Sequence, residues 1–167
     1  MTRVAISTIL FLTVFLIETS FISSLPSIFS AIPLVFALSV YLIQYQGVSD
    51  GIAWMIGYGF LTDLMHLSDV SFSTIPILAA VIVTVISAKH LFSNRSFYGV
   101  IACAVSSYAT FVLIEAFFAS NDWSVFFQTH AERLGMLIVV VAILFSLAPH
   151  IRKIVQVMFL PSYNRYY

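Results

Sequence analysis

Three carboxylates stand inside otherwise apolar stretches of this chain: Glu18, Asp63 and Glu115. Placing an aspartate in lipid costs roughly 2.5–3.5 kcal/mol on insertion scales, so each acid must face protein. Facing protein, a carboxylate can form an ion pair, hold a helix seam together or recognise a partner. Arg133 opens the last apolar stretch, and His66 and His130 lie near the same level. Residues for other chemistry are missing. No HExxH, G-x-S-x-G, Walker-type phosphate loop or CxxC occurs. The histidines at 66, 90, 130 and 150 lack zinc-ligand spacing and fit interfacial positions better. Cys103, the single cysteine, lies in an apolar run and reads as a small core residue. Neither an enzyme nor a bound metal or cofactor is expected.

The elements that must position these residues follow from composition. Of 167 residues, 61% are hydrophobic and 8% charged, against about 25% charged in a soluble domain. Mean hydropathy is +1.06. Such a surface suits lipid, and the chain reads as an integral membrane protein. Seven basic residues balance seven acidic ones, leaving no basic patch for nucleic acid. About 20 apolar residues cross ~30 Å of hydrocarbon as a helix. Six segments meet that need, at 4–24, 29–45, 49–67, 72–91, 97–119 and 134–149. Their continuous apolar character excludes the alternation of barrel strands. The expected fold is all-α, a polytopic bundle of six transmembrane helices over 1–150, followed by a short cytoplasmic interfacial helix and tail over 151–167. The first segment follows Arg3 but is too long for a signal-peptide core, and no A-x-A-like site succeeds it, so it reads as a retained helix. Pro33 and Pro76 fall in the first turn or two of their segments, where a missing N–H does least harm. Ser71, Ser73 and Thr74 form a capping region before the fourth segment, and a long connection runs from Asn121 to about Arg133.

Six spans alternate the connections between two sides. One side collects Arg3, Lys89, Arg95, Arg152, Lys153 and Arg165, the other only Arg133, which places both termini in the cytoplasm. Glu18, Asp63 and Glu115 then lie four to six residues from the outer ends of the first, third and fifth helices, within ~10 Å of the outer interface at about 1.5 Å per residue. The outer half is polar and the inner half almost wholly apolar. Two readings compete for this cluster. In one, Arg133 pairs with an acid while hydroxyls of Thr19, Ser20 or Thr62 satisfy the rest. In the other, a cavity open to the outside accepts a partner's segment or a small solute.

The third segment carries its own pattern. Gly51, Met55, Gly59 and Asp63 recur every fourth residue, with His66 one turn on, so small residues and an acid share a drifting stripe. Such stripes let helix backbones approach closely in membranes, and Gly57 is counted with Gly51 and Gly59 as a packing glycine. Neutralising Asp63 is expected to damage assembly or partner binding.

The run Ile32-Pro33-Leu34-Val35, then Tyr41, then Gly51 and Gly57-Tyr58-Gly59-Phe60-Leu61-Thr62-Asp63 resembles the rod shape-determining protein MreD family. It is similar to that family's G-x-x-x-G-f-x-x-G-L-x-x-D run. The glycines are offset, and Ser71-Phe72-Ser73-Thr74 stands where the family often has a glycine-containing turn. The specific likeness covers about 35 residues; elsewhere only the topology agrees. The resemblance implies a non-enzymatic subunit of the bacterial inner-membrane cell-elongation machinery. It would bind MreC, a single-span protein, and through it connect to an MreB filament and the cell-wall polymerase and transpeptidase. The outer cluster would be a docking pocket. A second reading is the substrate-capturing S component of an energy-coupling-factor vitamin transporter, a small six-helix fold that MreD resembles and that has an outward-facing site. No long gating connection favours it.

Overall fold

In a computed structural model, residues 2–26, 29–45, 47–65, 73–91, 96–118 and 123–159 are described, the side chains of 2, 3 and 148–159 excepted. Among them there is no strand. Six helices follow one another: α1 (Thr2–Leu16), α2 (Leu34–Tyr45), α3 (Val48–Met65), α4 (Thr74–Ile86), α5 (Phe97–Phe118) and α6 (Trp123–Phe159). A π-helical turn, Ile17–Phe21, and a 3-10 turn, Ile22–Ser24, extend α1, and a second π-turn, Ser87–Leu91, extends α4.

The short helix α2 is the hub. It touches all five others, while α1, α3, α4, α5 and α6 surround it in that order, with little packing between α1 and α6. Val35, Ala37 and Val40 are completely buried. The less covered residues, Leu34, Leu38, Leu42 and Tyr45, recur at helical spacing and so form one stripe. Its start is set by Pro33. The residue before a proline avoids helical geometry, and the Pro33 carbonyl accepts the Ala37 N–H at 3.0 Å. Pro33 therefore stands just ahead of α2 rather than inside its first turn, and the helix is only 12 residues long.

Among the described residues, four stretches are long and apolar enough to cross a membrane, Val4–Ser24, Thr74–Leu91, Phe97–Phe118 and Trp123–Leu147. The protein is thus a multi-pass membrane protein, all-α over its described residues. At about 1.5 Å per residue, α2 covers only about 18 Å, and α3 carries Asp50 and Asp63.

The largest departure from the sequence expectation is α6. The stretch 123–133, expected as a connection, is helical. It contains no Gly or Pro and is knit by spacings of four. Trp123 stacks on Phe127 with centroids 6.0 Å apart, Phe126 meets His130 at 4.3 Å, and the Thr129 hydroxyl donates to the Val125 carbonyl at 2.9 Å. At the other end the helix runs on through position 149 to Phe159. The first nine residues of the expected separate interfacial helix thus continue the last span.

The three glycines of α3 do not line a single seam. A Cβ on Gly51 would sit 2.7 Å from the Ser39 carbonyl and 2.8 Å from the Ile43 nitrogen of α2. One on Gly57 would meet the Phe11 ring of α1 at 3.0 Å, and one on Gly59 would meet Thr74 and Ile77 of α4 at 3.1 and 3.0 Å. The reason is rotational. Every fourth residue advances about 40° around a helix of 3.6 residues per turn, so the stripe has turned about 80° between Gly51 and Gly59. One helix thereby packs closely on three.

Candidate functional site

The ends of α1, α3 and α5, the starts of α2 and α4, and Arg133, ten residues into α6, meet at one end of the bundle. They enclose a cavity of about 560 Å³ there, whose lining includes Glu18, Tyr58, Tyr108, Glu115 and Arg133. Rings of Phe15, Phe36 and Phe111 supply apolar walls, and Thr19, Ser23, Ser30, Thr62 and Ser73 add hydroxyls. Arg133 and Met65 are exposed at this end, so the cavity has a solvent-facing mouth.

Glu18 is placed by the π-turn that ends α1. Such turns insert a residue into the helical ladder and recur at functional sites. Its Oε2 accepts the Val35 N–H at 2.6 Å, and Oε1 accepts the Tyr58 hydroxyl at 3.0 Å. Val35 belongs to the first turn of α2, whose N–H groups have no partner within the helix. The acid therefore caps the hub helix from α1, favourably placed at the positive end of its dipole.

Asp63 does the same for the next pair. Its Oδ1 accepts the Ser73 N–H at 2.6 Å. Its Oδ2 accepts the Thr74 N–H at 3.0 Å and also the Thr74 hydroxyl. Ser73 provides no side-chain cap of its own, so the cap of α4 reaches across from the last turn of α3. The result is a partly buried polar contact between the end of α3 and the start of α4. Asp63 does not line the cavity, although its neighbours Thr62 and Met65 do.

Glu115 differs from both. Its Oε2 is buried yet has no hydrogen-bond partner among the described residues. His130 Nε2 lies 3.5 Å from it, and the Glu115 side chain remains 32% exposed. His130 is itself held from behind, its Nδ1 lying 3.0 Å from the Tyr108 hydroxyl. It is buried inside the bundle rather than interfacial. The helical spacing of His130 and Arg133, three residues apart on α6, was the available signal for this pairing.

Arg133 lies within electrostatic reach of Glu18, Glu115 and His130. The contact made to Glu115 is from His130, not from the guanidinium. The hydroxyls expected to satisfy the acids turn back on their own helices. Thr19 donates to the Phe15 carbonyl and Thr62 to the Tyr58 carbonyl. Backbone N–H groups, Tyr58 and Thr74 take that role instead. The structure thus brings Glu18, Glu115 and Arg133 around one cavity, leaves Asp63 beside it in a capping role, and sets Gly51, Gly57 and Gly59 against three different helices. His66 lies outside the described residues.

The half of the bundle away from the cavity is less apolar than its sequence suggests. Thr84 of α4 donates to Ser107 of α5 at 2.7 Å, Ser107 also reaches the Cys103 carbonyl, and Gln44 and Ser87 are buried further along. Small hydroxyls of this kind tie membrane helices together at close approach. Among the described residues there is no group of three or more His, Cys, Asp or Glu that could hold a metal ion. No protein-family model, curated protein or solved structure matches the chain.

Proposed function

We propose that this chain is a six-span, non-enzymatic subunit of the bacterial cell-elongation machinery, resembling MreD, and that the cavity docks a segment of an MreC-like partner just outside the inner membrane. The observation that carries this reading is the cavity itself: about 560 Å³, built from all three helix pairs and lined by two carboxylates and a guanidinium. Charged groups near the end of a membrane bundle mark sites where something other than lipid is met. The six-to-one distribution of basic residues supports a cavity opening away from the cytoplasm. Six spans are supported by the position of α2 and α3 among the other helices. Neighbouring helices enclose α2, which therefore needs neither the length nor the uniform apolarity of a lipid-exposed span. Helix α3 turns Ile56, Phe60 and Leu64 outward as a lipid-facing helix would, and its two aspartates lie in its first and last turns. The chain would support cell-wall synthesis and cell shape by holding MreC, and through it the MreB filament and the polymerase–transpeptidase pair.

Photo-crosslinkers at Thr62 and Ser23, on the cavity wall, test this in cells that also express MreC. Capture of MreC by both, with none from a crosslinker at Leu78 on the exposed face of α4, is the expected result. Failure of either cavity position to capture MreC would remove the docking reading. Cysteine accessibility in a Cys103→Ala background should place positions 18, 63 and 115 on the periplasmic side.

One observation favours a second reading, an S component. The cavity volume falls within the range of about 300–1,000 Å³ typical of small-molecule sites. Neighbouring genes for ATPase and coupling subunits, rather than for MreB and MreC, would select it.

A further inference from the structure

Three acids lie at the cavity end, and their hydrogen bonding separates them. Both oxygens of Glu18 receive a protein donor, from Val35 and Tyr58. Both oxygens of Asp63 are likewise occupied, by Ser73 and Thr74. Of the three acids, Glu115 keeps a buried oxygen that accepts no hydrogen bond from the described residues, and it combines that with a place on the cavity wall. A buried carboxylate oxygen needs a donor, and the Glu115 side chain, 32% exposed, can be reached by one from outside. His130 does not supply a hydrogen bond at 3.5 Å.

The surroundings define what is missing. Two carboxyl groups and one guanidinium line the cavity, so a basic group finds two acidic partners there and an acidic group one basic partner. The walls next to Glu115 are aromatic: Tyr108 and Phe111 stack with centroids 5.8 Å apart, and Phe36 meets Tyr108 edge-on at 5.6 Å. A carboxylate sharing a cavity with aromatic rings suits an ammonium or guanidinium group, which can gain both an ion pair and cation–π attraction. An anionic ligand would find one guanidinium and two repelling acids.

Building on the docking proposed above, we infer that the group received by the cavity is a single basic side chain, lysine or arginine, carried by the partner next to its membrane span, and that Glu115 is its anchor. Glu18 and Asp63 are positioning residues that fix the cavity walls. This assigns Glu115 a cost in the free protein and a gain in the complex, the opposite of a structural ion pair.

The test compares wild type, Glu115→Gln and Glu115→Asp in the full chain co-expressed with MreC. Two quantities are read: MreC recovered per folded chain in mild detergent, and the melting temperature of the chain alone. Glu115→Gln is expected to lose at least tenfold in recovery while melting at or above the wild-type temperature, with Glu115→Asp intermediate in recovery. Replacing the basic residues of MreC next to its span by Gln, one at a time, should reproduce the loss at one position. Glu115→Lys paired with Glu at that position should restore recovery. Wild-type recovery by Glu115→Gln, or a melting point several degrees lower for that variant, overturns the inference while leaving the docking itself intact. If wild type recovers no MreC, the docking falls and this inference with it. A melting point raised by millimolar ethanolamine in wild type but not in Glu115→Gln, with MreC recovery unchanged, would assign the site to a small amine and refute a partner's side chain.

Discussion

Replacing Gly51 by alanine tests the packing logic most directly. The new methyl would lie 2.7 Å from the Ser39 carbonyl oxygen and 2.8 Å from the Ile43 nitrogen, against an ordinary contact of 3.4 Å or more. Both are backbone atoms of the hub helix, so no rotamer change relieves the clash. α2 and α3 must separate by about 0.6–0.7 Å. A radial gap of about 0.5–1 Å forfeits a quarter to a half of the dispersion attraction along the separated face, and overpacking of this kind costs roughly 1–3 kcal/mol. For a chain of this size, about 2 kcal/mol corresponds to a fall in melting temperature of about 4–8 °C. The control is Gly135→Ala. A Cβ there meets nothing within 4 Å, and alanine gains up to about 1 kcal/mol of helix propensity over glycine. Unfolding can be followed through Cys103, the only cysteine and a fully buried one, with a maleimide dye that fluoresces on reaction. Gly51→Ala should melt several degrees low and Gly135→Ala at or above wild type. Equal melting of the two variants would refute the claim that close backbone approach at Gly51 sets the α2–α3 interface.

Two further substitutions address the caps. Asp63→Ala removes the acceptor for the first N–H groups of α4 and should cost about 0.5–2 kcal/mol, the usual worth of an N-cap. Asp63→Asn, which keeps one acceptor oxygen, should cost less. Because Asp63 stands beside the cavity rather than on its wall, MreC recovery per folded chain should survive both; if stability were unchanged and recovery fell, the capping role would be wrong. Tyr58→Phe leaves Oε1 of Glu18 without its donor and should cost roughly 1–3 kcal/mol. Adding Glu18→Gln to Tyr58→Phe should cost clearly less than the two separate losses together, and simple additivity in that double-mutant cycle would show that the pair does not interact.

Hydropathy alone makes the acids stand out, because a carboxylate in an apolar run must be accounted for. Counting residues along helices also matches the common level of Glu18, Asp63 and Glu115. Their roles are a different matter. Ser73 and Thr74 mark the start of α4 in the sequence, but the carboxylate that caps them comes from Asp63, ten residues earlier, which no local pattern reveals. Glu18 faces α2 because of a π-turn, and the sequence IETSF has no distinctive signature for one. The extension of α6 back to Trp123 is hidden because Gln128, His130, Glu132 and Arg133 depress hydropathy in a stretch whose local bonding is helical. That extension carries His130 into the bundle, where it was least expected. Among the described residues four spans stand out by length and apolarity, whereas α2 is short and enclosed by its neighbours, and α3, with Ile56, Phe60 and Leu64 exposed, carries an aspartate in its first and last turns.

The same arithmetic of donors and acceptors joins the fold to the proposed function. Each helix pair carries an acid near the end of its first member, and each acid turns toward the helix that follows: Glu18 to the start of α2, Asp63 to the start of α4, Glu115 to His130 of α6. In the first two pairs the following helix begins at the level of the acid, so its free N–H groups meet the carboxylate and the charge is satisfied. In the third pair α6 begins ten residues before Arg133, and its N-terminus lies beyond reach of the acid. Glu115 therefore meets the side of a helix, which offers a histidine ring but no free backbone N–H. Lengthening one helix by about three turns is what converts a cap into an unsatisfied carboxylate.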